Sequence, residues 1–558
     1  MDDRIATCKQ ALQTAIASGS DHALQTAYTD LGQAFFQRQQ LPQALHCYEK
    51  LLRSTQSTAI PFKDMNEWDQ KENLAAQGIA YCHIGLIYLV MAEYPKALDY
   101  HRKHLAVSQQ LSDTAAQGMA YSNMGTVYES MEDLRKALEC HQQSLAIAEQ
   151  YGDVAGQGLA YASIGSLYER LGEHEQALHC HHNALAIAEA SGDVDAQSTA
   201  CCFLSKAYYA VGKMDKAIEY QQSEIALLEP GGDGPGLARA HNSLGSLLLA
   251  CNEFDRAMKE HSKAMHYAHE AKDPASQAQT YNSMGDVFHA QGKYGKALDA
   301  LQQALKLAMQ ADDIEAQASA HNAMGAAYNR LGNFRAALQN HRSALQLLAD
   351  DDVEGKAGAY SGMGEAYMRL RDYGKALQAF KESLALAEEV EDDVVQLTAC
   401  NGMGNCSFKM EDYKAAVDWN EKALKLSESV QDSHMQELAA LLIGNAYFHL
   451  GELDTAFEYY GRGLAHAQEN CSRVAICRAY CCVGNTWYGK KNMQAATKYY
   501  KKSLEIAERN RREEYGSESF LIDDQLLGIV LKCCAEHHEL ATREPLSELS
   551  GTTYVYLW

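Results

Sequence analysis

The sequence predicts an all-α fold: a solenoid of about twelve antiparallel helix pairs with a capping helix at its C-terminal end. Three observations carry this expectation. A stretch repeats itself, AAQGMAYSNMGTVYESMEDLRKALECHQQSLAIAE over residues 115–149 returning as AGQGLAYASIGSLYERLGEHEQALHCHHNALAIAE over residues 155–189. A small residue marks each copy, at Gly32, Gly85, Gly125, Gly165, Ser205, Gly245, Gly285, Gly325, Gly364, Gly404, Gly444 and Gly484, spaced by 40 from Gly85 onward except for one step of 39. A second small residue follows twelve positions later in every copy, at Ala44, Ala97, Ala137, Ala177, Ala217, Ala257, Ala297, Ala337, Ala376, Ala416, Ala456 and Ala496.

Each copy reads as two helices. Around Gly125, Tyr121, Met124 and Tyr128 recur at helical spacing, and Leu134, Ala137, Leu138 and Leu145 form a second stripe. A polar turn such as MED, LGE, QGK or LGN separates the two. Small residues at a fixed offset mark helix crossings, where a larger side chain costs roughly 1–3 kcal/mol by overpacking.

In chain order, residues 1–20 hold an N-terminal helix or cap. Residues 21–230 and 231–510 form the N-terminal and C-terminal halves of the solenoid. An insertion at about 54–72, RSTQSTAIPFKDMNEWDQ, carries Pro61 and Trp68 and is either a packing loop or an interaction loop. Asp113, Asp153 and Asp193 end the junctions LSD, YGD and SGD, where each can cap the next helix. The junction EPGGDGPG over 229–236 marks a flexible step between the halves. It is not a phosphate loop, because no Gly-Lys-Ser/Thr follows. Residues 511–545, with an apolar stripe of Leu526, Leu527, Val530, Leu531 and Cys534, are expected to cap the open end, and 546–558 form a tail.

The pattern resembles the tetratricopeptide repeat. Ile164, Gly165 and Tyr168 stand for its Leu-Gly-x-x-Tyr core, and Leu185, Ala186 and Ala188 for its Leu-x-x-Ala helix end. The resemblance covers roughly residues 22–510 and implies a right-handed superhelix whose first helices line a concave groove. The period departs from the usual ~34 residues, the extra six lengthening the helices by about 9 Å in all. Forty-residue units with His in the second helix look most like the LGN/Pins-type polarity adaptors and a related group that carries a caspase-like domain after its repeats. Both are scaffolds in that resemblance.

Lysine and arginine number 49 against 73 aspartates and glutamates, a net charge of −24. That argues against general nucleic-acid binding and favours basic partners. The N-terminus MDDRIATCKQ is polar and no run of eighteen apolar residues is visible, so neither a secretory leader nor membrane insertion is expected. The sixteen scattered cysteines read as reduced thiols, which points to the cytoplasm.

No catalytic, cofactor or metal site is expected. His101, His141, His181, His261 and His341 share one offset but stand a repeat or more apart, and so fill the position where the common motif has an aromatic residue. His179 and His182 share a helix face without a second ligand pair, and Cys477, Cys481 and Cys482 form no CxxC. The candidate site is instead the groove. Its inward positions are three before and one after the aligned small residue. The first row reads Ser122, Ala162, Cys202, Asn242, Asn282, Asn322, Ser361, Asn401, Leu441 and Cys481. The second reads Thr126, Ser166, Lys206, Ser246, Asp286, Ala326, Glu365, Asn405, Asn445 and Asn485. An amide both donates and accepts, so Asn242, Asn282, Asn322, Asn401, Asn405, Asn445 and Asn485 can pair with an extended peptide backbone. Arg239, Arg330, Arg369 and Arg478 add carboxylate contacts. No unit has Lys at the first inward position, so chaperone C-terminal tails are not expected ligands.

The expected function is therefore a protein-interaction scaffold holding an extended segment of a partner. Two alternatives are an LGN-like G-protein adaptor and the sensor arm of a longer effector protein. The first needs GoLoco motifs, and the nearest string, Asp524-Gln525, continues to Leu526 instead of Arg.

Overall fold

In the computed structural model, residues 2–18, 20–56, 66–349, 352–390 and 392–514 are described. Among them no strand occurs, and the chain is a succession of helices. Contacts divide it into two units, Met1–Lys272 and Asp273–Trp558.

The first unit opens with α1 (Asp2–Ser18), followed by six helix pairs. These are α2 (Asp21–Phe36) with α3 (Leu41–Gln56), α4 (Glu67–Val90) with α5 (Tyr94–Leu111), and α6 (Thr114–Ser130) with α7 (Leu134–Tyr151). Then come α8 (Val154–Arg170) with α9 (His174–Ser191), α10 (Val194–Ala210) with α11 (Met214–Leu228), and α12 (Gly234–Ala250) with α13 (Phe254–Glu270). The second unit holds α14 (Pro274–Ala290) with α15 (Tyr294–Gln310), α16 (Ile314–Arg330) with α17 (Phe334–Leu347), and α18 (Val353–Arg369) with α19 (Tyr373–Glu389). It continues with α20 (Asp393–Lys409) and α21 (Tyr413–Ser429), α22 (Ser433–Leu450) and α23 (Leu453–Glu469), and α24 (Arg473–Gly489) and α25 (Met493–Glu514). We call the two members of each pair helix A and helix B. Within each unit, A packs on its own B and B packs on the next A, which is the expected solenoid of helix pairs.

The aligned positions explain the pairing. All twelve alanines of the second marker are at most 2% exposed, so helix B lies flush against its neighbours there. At the first marker the missing side chain is filled by a ring or chain four residues after that alanine. A Cβ on Gly125 would overlap the His141 ring, and one on Gly364 would stand 2.7 Å from Phe380. The same contact is made by Tyr48 to Gly32, His101 to Gly85, Leu301 to Gly285, Asn420 to Gly404, Tyr460 to Gly444 and Tyr500 to Gly484. Where Ser205 replaces glycine, its hydroxyl donates to the Ala217 carbonyl at 2.9 Å, and the facing position is Gln221.

Local signals start and stop the helices. Asp113, Asp153, Asp193 and Asp313 each accept a backbone N–H three residues on, at 2.9–3.0 Å, and cap the A helices α6, α8, α10 and α16. Each A–B turn passes through one left-handed residue seven positions after the aligned small residue: glycine at Gly172 (φ +74°), but also Glu132 (φ +59°) and Arg371 (φ +61°).

The irregular segments are informative. The insertion lengthens α4, which starts at Glu67 and leaves Trp68 69% exposed, while Pro61 lies outside the described residues. By length and composition, α4 is apolar enough to cross a membrane, which inspection for unbroken apolar runs did not reveal. In the fold its Ala76, Ala80, Ile84 and Ile87 are buried with Tyr48 and Leu51. The glycine-rich junction at 229–236 forms a 3-10 turn over Glu229–Gly231 and lies inside the first unit. The expected capping helix beyond Glu514, including Phe520–Leu540, and the tail lie outside the described residues.

Two glycines of α6 separate close packing from helix propensity. Gly125→Val should destabilise the protein by roughly 1–3 kcal/mol, because its Cβ and methyl groups displace the His141 ring. Gly118→Ala, whose Cβ would meet Ser144 only at 3.8 Å, should be neutral or stabilise by about 0.5–1 kcal/mol. Urea denaturation of the two variants checks both.

Candidate functional site

The expected groove residues all lie on A helices, but they differ in what they offer. The first inward row is drawn into the stack: Asn242 is 8% exposed, Leu441 and Cys481 are buried, and the remaining seven are half-buried. The second row is more open, with Thr126, Lys206, Ser246 and Asp286 exposed and Ser166, Glu365, Asn405, Asn445 and Asn485 half-buried.

Four of the asparagines are held from behind. Asn242 Oδ1 lies 2.9 Å from His261 Nδ1, and Asn322 Oδ1 lies 2.7 Å from His341 Nδ1. Tyr460 and Tyr500 donate their hydroxyls to Asn445 Oδ1 and Asn485 Oδ1, both at 2.7 Å. Each acceptor is thus engaged by the ring that fills its own repeat's glycine notch. Asn405 Nδ2 donates to Asn401 Oδ1 at 3.4 Å on the same helix. Asn282 Nδ2 reaches the Ala316 carbonyl on the next A helix at 3.5 Å, while its Oδ1 is buried without a partner.

The arginines divide in the same way. Arg239 is exposed on α12 and, with Lys206, lowers the pKa of Glu224, which burial raises by more. Arg478 acts similarly on Glu437, a carboxyl only 1% exposed. Arg330 and Arg369 are exposed and make no ion pair among the described residues.

Of the expected residues, Asn322 and Arg330 are brought together in one cavity of about 360 Å3 on the A-helix face of the second unit. Asp286 and His289 of α14 line it, with Asn322, Asn329 and Arg330 of α16, His341 of α17, and Gly358, Gly362 and Glu365 of α18. Asp286 is open to water at its edge while protein surrounds most of the carboxyl group. The open edge lets a ligand reach it, and the surrounding protein makes its charge costly. Burial accordingly pushes its pKa from the ordinary 3.8 up to about 6. Burial also lowers the pKa of His289, the Arg330 charge lowers it further, and Glu365 works against both.

Asn329 and His289 were missed in reading the sequence. They occupy the offset four after the aligned glycine, which holds Glu129 and Glu169 in the first unit and Met368, Phe408, Phe448 and Tyr488 farther on. Polar residues in an otherwise largely apolar column were the available signal. Glu129 shows what the column reaches: its carboxylate lies 2.7 Å from His141 Nε2 of the same repeat.

The histidine ladder is internal. All five members are at most 2% exposed, as expected of residues filling an aromatic position. Burial lowers the pKa of His101, His261 and His341 to about 4. His101 has neither ring nitrogen bonded. Among the residues considered for metal binding, His182 Nε2 is 2.9 Å from the Tyr208 hydroxyl and His179 Nδ1 is 3.3 Å from Asn183 Nδ2. Cys477 and Cys481 surround the Ser503 hydroxyl at 3.0 and 3.2 Å.

The family described as Tetratricopeptide repeat matches residues 77–150, 157–229, 276–350 and 356–429, more than half of the chain. No curated protein matches. Solved structures with similarity include aspartyl phosphate phosphatase F from Bacillus subtilis, at 14% identity and a TM-score of 0.43, covering 59% of this chain and 94% of that one. The apo form of RapI matches at 15% identity and a TM-score of 0.40, covering 52% and 98%. BtubC (BKLC) from P. vanneervenii matches at 22% identity and a TM-score of 0.35, covering 40% and 91%.

The ladder generates a pH prediction. A histidine whose folded pKa lies near 4, below its ordinary 6.5, favours the fold while neutral. That contribution is present above pH 6.5 and is lost as pH falls towards 4. His101→Phe, which places at Gly85 the ring that already fits Gly364, should stabilise by about 1–3 kcal/mol at pH 7, because it removes two unpartnered buried nitrogens. It should also reduce the loss on acidification. Denaturation midpoints at about pH 7.5 and about pH 5.5, roughly one unit either side of the ordinary histidine pKa, check both effects.

Proposed function

Because the chain belongs to the tetratricopeptide repeat family, a family of protein-interaction repeats, we propose that it is a non-catalytic scaffold that holds an extended segment of a partner protein along its A-helix face. The observation that carries this reading is the row of asparagines along the A helices, Asn401 and Asn405 among them, four of which have their carbonyls pinned by helix-B rings. Asn322 and Asn485 are each fixed through Oδ1, so the amide is oriented before a partner arrives and less freedom is lost on binding. Exposed Arg330 and Arg369 on the same helices supply cationic donors for carboxylates or carbonyls. The net charge of −24 favours a basic partner segment and disfavours nucleic acid. Eleven cysteines among the described residues, Cys477, Cys481 and Cys482 not counted, are free thiols, which fits a reducing compartment and supports a cytoplasmic location.

A narrower reading, an LGN/Pins-type adaptor, has the forty-residue period in its support and the absent Asp-Gln-Arg finger against it.

The test separates groove chemistry from folding. Among the described residues Asn401 and Asn405 bond only to each other through their side chains, and Arg369 is exposed, so Asn401→Ala, Asn405→Ala and Arg369→Ala together should leave the helical signal and melting temperature unchanged. Affinity purification with quantitative mass spectrometry should show partners of the unaltered chain reduced roughly tenfold or more, the effect of losing one or two charged or paired hydrogen bonds. Retention of every partner at full yield would refute the groove reading.

A further inference from the structure

The cavity in the second unit has a chemistry more specific than a general groove, and the inference drawn from it rests on the groove reading. Its lining is rich in acceptors that have nothing to accept. Asp286 and Glu365 form no ion pair or hydrogen bond among the described residues. Asn329 is only 7% exposed. Its Nδ2 donates to the Gly362 carbonyl at 2.9 Å, and its Oδ1 is buried with no partner. His341 is 2% exposed, wedged between Gly325 and Gly362. Its Nδ1 bonds to Asn322 Oδ1 at 2.7 Å. An amide oxygen only accepts, so Nδ1 carries the proton and Nε2 presents a bare lone pair, which is also buried without a partner.

Leaving such acceptors unmade is costly, about 1–3 kcal/mol apiece in the folded protein, and native structures keep such groups few. Two carboxylates and two buried neutral acceptors around one space call for a ligand with several N–H donors and a positive charge. The one cation in the lining, Arg330, is exposed and pairs with neither carboxylate. A volume of about 360 Å3 is near the lower end of ligand pockets, roughly 300–1,000 Å3, and suits one long side chain. The geometry points to a receptor for a single basic side chain, arginine or lysine, of the partner segment, with Asp286 and Glu365 as its counter-ions and the buried acceptors Asn329 Oδ1 and His341 Nε2 adding to the negative potential behind the lining. Arg330 then takes a main-chain carbonyl of the same segment. The raised pKa of Asp286 agrees, since a bound cation would offset the cost of its charge.

The probe is N-acetyl-arginine amide, with N-acetyl-citrulline amide as a neutral counterpart of nearly the same shape, titrated into the full chain by calorimetry and ligand-observed NMR. The arginine compound should bind and the citrulline compound should not. Asp286→Asn with Glu365→Gln should weaken the arginine compound roughly tenfold or more, and Arg330→Gln should strengthen it by removing a like charge. Both variants should melt at or above the temperature of the unaltered chain, because a costly or unpaired charge is removed. The inference is overturned if the arginine compound fails to bind the unaltered chain, if citrulline binds equally, or if the double variant binds as before. It is also overturned if inorganic phosphate binds through Arg330 in place of the cation. Partners that survive Asp286→Asn/Glu365→Gln but are lost with Asn401→Ala, Asn405→Ala and Arg369→Ala would leave the groove standing and remove this pocket from it.

Discussion

The structure depends on an absence. At eleven of the twelve aligned positions helix A has no side chain, and a ring or chain from helix B occupies the space that a Cβ would need. The occupant varies widely, from His141 to Phe380, Leu301 and Asn420, yet the offset does not. What the fold requires is therefore close backbone approach, filled from the other helix by whatever fits. Interiors packed to crystal-like density allow such a site to accept different shapes but not additional volume.

This contact also reaches the groove. The side chain in the notch stands directly behind the inward-facing asparagines, so a histidine or tyrosine there becomes an anchor for the amide in front of it, as at Asn322 and Asn485. Core packing and the A-helix surface are thereby linked. A repeat whose notch holds Leu301 or Phe380 has no such anchor to give. In the second unit the anchored repeat of Asn322 lies between two unanchored ones, and the cavity opens there.

The periodic part of this arrangement was legible because it is enforced in every copy. Glycine and alanine at fixed offsets announce helix crossings, and the aspartates at the junctions announce caps. The individual chemistry was less legible. An asparagine read alone can donate and accept, and only the position of His341 or Tyr500 decides that its oxygen is already engaged. Arg239 and Arg478, expected as groove cations, also lie near a buried carboxyl of their own unit, Glu224 or Glu437, whose pKa burial raises and each arginine lowers in part. His289 and Asn329 were passed over because their column is aromatic or aliphatic in most repeats, and its polar members make sense only when three A helices are seen together. The apolar character of α4 is hard to read in the sequence because small polar residues interrupt it; in the fold Ala76, Ala80, Ile84 and Ile87 are buried.

The constant period has a consequence for how such a chain can change in length. From Gly85 to Gly325 the aligned residues recur every 40 positions, so within each unit excising one full period joins an A helix to the kind of B-helix surface it already met. The seam closes like against like, and no residue need be redesigned. A chain built this way behaves as a ruler graduated in whole repeats: it can be lengthened or shortened by duplication or deletion, while a cut of any other size would throw every later notch out of step with its ring.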